Sequence, residues 1–148
     1  MTAPVIVWFR QDLRLDDNPA LLAAAASGRP VIALYILDDE TPGKWAPGGA
    51  SRWWLHHALK SLSAALEVAG PGLTLMRGPA GPALDRAIAA SGAEAVFWNR
   101  CYEPYAVTRD TALKASLKAR GIEAQSFNAS LLCEPWSITN KAGDPFKV

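Results

Sequence analysis

Apolar residues along this chain come in short dense runs, separated by charged turns and by stretches of helical spacing. Val5 to Phe9 is an unbroken run of β-branched and aromatic residues, too short for a helix, and it predicts a strand buried on both faces. Arg10, Asp12, Arg14, Asp16 and Asp17 follow at once, and Asn18-Pro19 supplies an N-cap and a first-turn proline for a helix through Ala20, Leu21, Leu22 and Ala25 to Gly28. Pro30 to Leu37 predicts a second buried strand, ended by Asp38-Asp39-Glu40. A loop with Pro42, Gly43, Pro47, Gly48 and Gly49 is long enough to point to function rather than simple connection. Ser51 is the expected cap of the next helix, with Leu55, Leu59, Leu62 and Leu66 inward and Gly70-Pro71 as its stop.

The same alternation continues to residue 127. Leu73 to Met76 predicts a third strand, and Pro82 to Ser91 a helix with Leu84 and Ile88 inward, closed by Gly92. Ala95 to Trp98 predicts the fourth strand and Asn99 to Pro104 its polar exit loop. Tyr105 to Arg120 reads as a helix with Leu113 and Leu117 inward, an Asp110–Lys114 pair at i,i+4, and Gly121 as its stop. Ile122 to Phe127 is the fifth strand. Parallel neighbours need right-handed crossovers, so five such units predict an α/β fold: a doubly wound, Rossmann-like five-stranded parallel sheet with helices on both faces and the first strand central. Residues 1–130 form the expected domain. Leu131 to Val148, with Pro135, Gly143 and Pro145 and no clear period, reads as the start of a linker.

Composition narrows the class of protein. The 148 residues suit one domain burying about 70% of the unfolded surface. A net charge of +1 gives no overall basic excess of the kind nucleic-acid binding usually needs. Cys101 and Cys133 lack metal-ligand spacing and read as reduced thiols. Without a leader pattern or an apolar run near the ~20 residues that span a bilayer, the expectation is a cytoplasmic protein with no membrane partner.

The turn after the first strand has no glycine, which excludes the dinucleotide fingerprint and the phosphate-cradling loop. Gly78-Pro79-Ala80-Gly81 reads as a plain turn, and His56 and His57 diverge on their helix and cannot chelate one metal. Asp16, Asp17, Asp38, Asp39 and Glu40 read as solvated loop charges rather than a cation site. With no nucleophile motif either, the chain by itself is not expected to be catalytic. It is better equipped to bind. The carboxyl ends of the first, second and fourth strands should gather Arg10, Tyr35 to Asp38, Asn99, Cys101 and Glu103, with Arg52 nearby, into a crevice suited to a flat heteroaromatic ligand. Each residue alone has a plainer reading, with Tyr35 and Trp98 as core and Arg10 and Arg52 pairing local carboxylates.

Several ordered blocks resemble the DNA photolyase/cryptochrome family. They are Val7-Trp8-Phe9-Arg10-Gln11-Asp12-Leu13-Arg14-Leu15 with Asp17-Asn18-Pro19-Ala20-Leu21; Ser51-Arg52-Trp53-Trp54-Leu55; and Trp98-Asn99-Arg100-Cys101-Tyr102-Glu103-Pro104 with Arg109-Asp110. Ser126-Phe127-Asn128, Leu131-Leu132 and Glu134-Pro135-Trp136 follow in order, and Lys141, Gly143, Pro145 and Phe146 fit the segment leading out of the first domain. The resemblance implies an N-terminal light-harvesting domain that holds an antenna chromophore: a deazaflavin, FMN or a reduced folate. It implies as partner a C-terminal helical domain of the same protein, which alone carries FAD, and UV-damaged DNA bound through that larger protein, a deoxyribodipyrimidine photolyase that repairs pyrimidine dimers.

The antenna positions carried over are Arg10, Tyr35, Ile36, Leu37, Asp38, Arg52, Cys101 and Glu103. Cys101 departs from the acidic residue of some deazaflavin binders, and Tyr105 and Ala106 stand where folate-type relatives have a carboxylate. The alternatives are the same domain of a cryptochrome photoreceptor and a free-standing nucleotide-binding α/β protein. An apolar face left for the helical domain is also expected to drive self-association.

Overall fold

The hydrophobic runs become strands where expected, and the computed structural model describes residues 2–70 and 72–144. In chain order they are β1 (Val5–Phe9), α1 (Pro19–Ala26), β2 (Val31–Leu37), α2 (Gly49–Ala69), β3 (Leu73–Arg77), α3 (Ala80–Ser91), β4 (Ala95–Asn99), α4 (Pro104–Ala119) and β5 (Glu123–Phe127). All strands are parallel in the order β3-β2-β1-β4-β5, so β1 is central and the chain reverses its direction of growth there. Val5 pairs with Val31 on one side and Ala95 on the other.

Alternation along the buried strands divides two cores. Ile6, Trp8, Leu34, Ile36, Val96 and Trp98 pack with Leu84 and Ile88 of α3 and Leu117 of α4. Val5, Val7, Phe9, Ala33 and Phe97 pack on the other face with Ala20 and Ala24 of α1 and Leu62 and Leu66 of α2. This is the doubly wound arrangement expected, with α1 and α2 on one side and α3 and α4 on the other.

Local details depart from the sequence reading for identifiable reasons. Gly48, not Ser51, precedes the first turn of α2, and no side chain caps it. Only Leu62 and Leu66 of α2 are buried, while Leu55 and Leu59 are partly exposed. A 21-residue helix is about 31 Å long, whereas strands of five to seven residues span about 17–23 Å. Its first half therefore extends past the strand ends and leaves Trp53 and Trp54 exposed. The expected Asp110–Lys114 pair does not form, because Asp110 bonds Arg10 and Arg109 while Lys114 donates to Ser126 Oγ at 3.1 Å. Beyond β5, a short 3-10 turn at Pro135–Ser137 is held by the Arg100–Glu134 ion pair. Pro71, Pro145 and Phe146 lie outside the described residues.

A buried polar network fixes the turn after β1. Asn99, at the end of β4, donates through Nδ2 to Asp12 Oδ2 at 2.6 Å and Asn18 Oδ1 at 2.7 Å, and its Oδ1 accepts the Ala20 N–H at 3.1 Å. Asp12 Oδ1 accepts the Arg10 N–H at 2.7 Å, and Asn18 Oδ1 caps α1 by accepting from Leu21 N–H at 3.1 Å. Asp17, the one non-glycine residue with positive φ among those described, turns the chain within this loop. Substituting Asn99→Ala removes hydrogen bonds to three buried partners, in the turn after β1 and in α1, and is expected to cost about 3 kcal/mol. Urea unfolding should show a lower midpoint with an unchanged slope; a loss below about 1 kcal/mol would show that the network is dispensable.

Candidate functional site

The strand order places β1 between β2 and β4, so the ends of these three strands border one crevice under the 38–47 loop. Trp8, Arg10, Tyr35, Cys101, Tyr105 and Arg109 line this cavity of about 170 Å³, together with Ile36, Leu37 and Asp38 from the end of β2. Trp45, from a short 3-10 turn at Gly43–Trp45, closes one side with Pro42 and Pro47.

Its floor is a stack of cations on an indole. The guanidinium carbons of Arg10 and Arg109 lie 4.6 and 5.0 Å from the Trp8 ring centroid. Asp110 holds both, accepting from Arg109 Nε at 2.9 Å and from Arg10 Nη1, while Arg10 Nη2 donates to the Asn99 carbonyl. Two donors in this floor remain unused: Trp8 Nε1 and Arg10 Nε are buried with no hydrogen-bond partner. Stranding such groups away from water costs about 1–3 kcal/mol each.

The polar rim stays protonated where it can donate. Burial, then the Asp39 charge, pushes the Tyr35 hydroxyl up to about 12. Burial raises the Cys101 thiol too, opposed by the nearby Arg10 charge. Tyr105 is raised by burial and by Glu103; outside the crevice, Tyr102 is raised by burial and its hydrogen bond to Glu134. Burial works against ionised Asp38, but hydrogen bonds from Thr41, Glu40 and Ala80 outweigh it and hold the carboxyl below the usual range. Asp38 thus latches the loop to the first turn of α3, through Thr41 Oγ1 at 2.6 Å and Ala80 N at 3.2 Å.

Of the positions carried over from the sequence, Arg10, Tyr35, Ile36, Leu37, Asp38 and Cys101 line the crevice directly. Glu103 sits at its mouth, where Oε1 accepts from Gln11 Nε2, Oε2 is buried without a partner, and Trp45 and Tyr105 join the crevice to a neighbouring recess. Arg52 stands behind the loop, donating to the Pro47 carbonyl at 2.9 Å and lying 3.2 Å from Asp39. Asn99 belongs to the network below. Trp98 is core, as its plainer reading held, but Tyr35 is half-buried and lines the cavity. Sequence reasoning did not single out Trp8, Gln11, Trp45 or Arg109 for the site. Trp8 shares a strand face with Arg10, and that parity was the signal available. Among the described residues no group of histidines, cysteines and carboxylates forms a metal site, and both cysteines are free. No helix there is long and apolar enough to cross a membrane.

The DNA photolyase family model matches residues 5–148. The chain belongs to the DNA photolyase family. A class III photolyase from Agrobacterium tumefaciens superimposes with a TM-score of 0.91 at 48% identity, over 100% of this chain and 30% of that one. Cryptochrome-1 of Arabidopsis thaliana is 44% identical over 97% of this chain and 21% of its own length. A Sulfolobus tokodaii photolyase, described with two FAD molecules and an implied novel light-harvesting cofactor, matches with a TM-score of 0.81 at 26% identity, covering 93% of this chain and 32% of that one. This photolyase-family chain thus spans less than a third of the length of these relatives, and it corresponds to the N-terminal domain of such larger proteins.

All three tyrosines of this photolyase domain have raised hydroxyl pKa values. Absorbance at the tyrosinate band should therefore be below half of its full amplitude at about pH 10, where free tyrosine is half ionised, with Tyr35 the last to contribute. Between about pH 10 and 12 the unfolded chain releases the Tyr35 proton while the folded chain keeps it, so stability is intact below pH 10 and falls as pH rises through that window. A titration with a midpoint near 10 for all three would contradict this burial.

Proposed function

We propose that the crevice holds a light-harvesting chromophore, and that the larger protein is a deoxyribodipyrimidine photolyase repairing UV-induced pyrimidine dimers in DNA. The observation that carries this reading is the pair of orphaned donors, Trp8 Nε1–H and Arg10 Nε–H, buried in an aromatic crevice. A planar ring with a carbonyl or ring-nitrogen edge satisfies both, which fits a deazaflavin, FMN or a reduced folate alike.

When bound, the chromophore supplies light absorption and energy transfer to the FAD. The chain's own residues supply position. Trp8 and Arg10 fix the acceptor edge, Tyr35 and Cys101 offer further donors, and the buried Glu103 oxygen at the mouth suits an N–H of the ligand. Arg52 acts one step back, bracing the loop through Pro47 and Asp39.

FAD itself, contact with damaged DNA and the repair chemistry belong in this reading to a C-terminal helical domain reached through a linker that starts near residue 131. A cytoplasmic protein is the corresponding compartment. The 44% identity to a plant cryptochrome favours one second reading, the same domain in a photoreceptor. Dimer repair by the full-length protein under blue light distinguishes the two, since a cryptochrome leaves the dimers intact. A free-standing nucleotide-binding protein is disfavoured by the glycine-free turn after β1.

Incubating the 148-residue chain separately with deazaflavin, FMN and reduced folate, then gel filtration, should give one co-eluting pigment with a shifted absorption band. Trp8→Phe keeps the ring but removes the donor, and should weaken that pigment about five-fold, the worth of roughly 1 kcal/mol for one hydrogen bond. The antenna reading fails if neither the chain nor the full-length protein retains any of the three.

A further inference from the structure

A second cavity, of about 210 Å³, lies between α4 and the ends of β4 and β5. It meets the chromophore crevice only at Cys101, whose side chain lines both. The buried indole of Trp98 and the exposed indole of Trp136 give it aromatic walls, and Val107 adds an apolar one. Its charged groups are Arg100, Asp110 and Lys114.

Two of those three are already balanced. Arg100 pairs with Glu134, donates to the Ser126 carbonyl at 2.8 Å, and lies 5.6 Å from the Trp136 centroid. Asp110, one turn before Lys114 and its natural i−4 partner, is taken by Arg10 and Arg109. Glu134 is taken by Arg100 and the Tyr102 hydroxyl. Lys114 is left with the neutral Ser126 hydroxyl at 3.1 Å and no carboxylate within ion-pair reach among the described residues. Burial, then the neighbouring positive charges of Lys118 and Arg100, lowers its pKa. Part-burying a cation beside other cations without a counter-ion is unfavourable, and an anion entering the cavity relieves it.

We propose that this cavity is a second small-molecule site, selective for a flat aromatic anion whose ring lies against Trp136 and whose carboxylate or phosphate meets Lys114. The site is separate from the chromophore crevice and does not depend on that crevice being occupied.

Naphthalene-2-carboxylate and its neutral counterpart naphthalene-2-methanol test this on the 148-residue chain, by calorimetry and amide NMR. The carboxylate should bind at least ten-fold tighter than the alcohol, with shifts at Thr111 and Lys114. Lys114→Gln should remove that preference while leaving the alcohol's affinity unchanged, and Trp136→Ala should weaken both ligands. Absence of binding, equal affinity for the two ligands, a preference that survives Lys114→Gln, or shifts confined to Tyr35–Asp38 would each overturn the proposal.

Discussion

Asn99 is the joint on which the active edge of this domain depends. Its single amide meets Asp12 and Asn18 from the turn after β1 and the backbone of Ala20 in α1. In one buried spot it therefore ties the end of β4 to the only polar turn leaving the central strand. A side-chain amide suits the position because it offers two donors and an acceptor in one plane, and each is used. The glycine-rich turn that many α/β proteins place here lets a backbone approach a phosphate. This chain has replaced it with a rigid knot of side chains, which aims Arg10 across the crevice floor instead.

Asp110 plays the corresponding part for charge. It collects two guanidiniums over one indole and, with Asp38 at 4.0 Å from Arg109, matches their charges without satisfying all of their N–H groups. The crevice is therefore not a generic basic pocket: its charges are largely matched, and what remains is directional hydrogen-bond donation from Trp8 and Arg10. The same assignment has a cost on the far side of α4, where Lys114 loses the partner that helical spacing provides. One carboxylate thus sets the polarity of two neighbouring cavities.

The fold was legible because its signals are local and redundant. Val5 to Phe9 cannot be anything but a buried strand, and Asn18-Pro19 both caps and starts the helix that follows. The central place of β1 went with the doubly wound arrangement expected of five strand-helix units, in which the chain starts at the middle of the sheet. What escaped was tertiary. Helical spacing pairs Asp110 with Lys114, but Arg10, 100 residues away, offers a better-buried partner. Ser51 has cap chemistry, yet the helix begins earlier because nothing stops Gly49 and Ala50 from joining it. The crevice was placed at the right strand ends, with six of its proposed positions on the wall, yet Trp8 was hidden by its own hydrophobicity. A tryptophan in a strand reads as packing until the neighbours show that its N–H has no partner. Arg52 and Arg109 exchanged prominence for a similar reason, since sequence order does not reveal which guanidinium a loop will screen.

The central position of β1 also bears on how the chain emerges from the ribosome. β1 is made first, but its pairing with Ala95, Val96 and Phe97 waits for roughly ninety more residues. The amide that organises its turn arrives only with Asn99. Through that interval a strand of Val, Ile, Val, Trp and Phe has one ladder edge open, which is the kind of surface that recruits other nascent chains. The five charges placed directly after it, from Arg10 to Asp17, stand where gatekeeping residues protect such strands. The turn that later aims the crevice floor is thus also the charged boundary of an edge that stays open until β4 has been made.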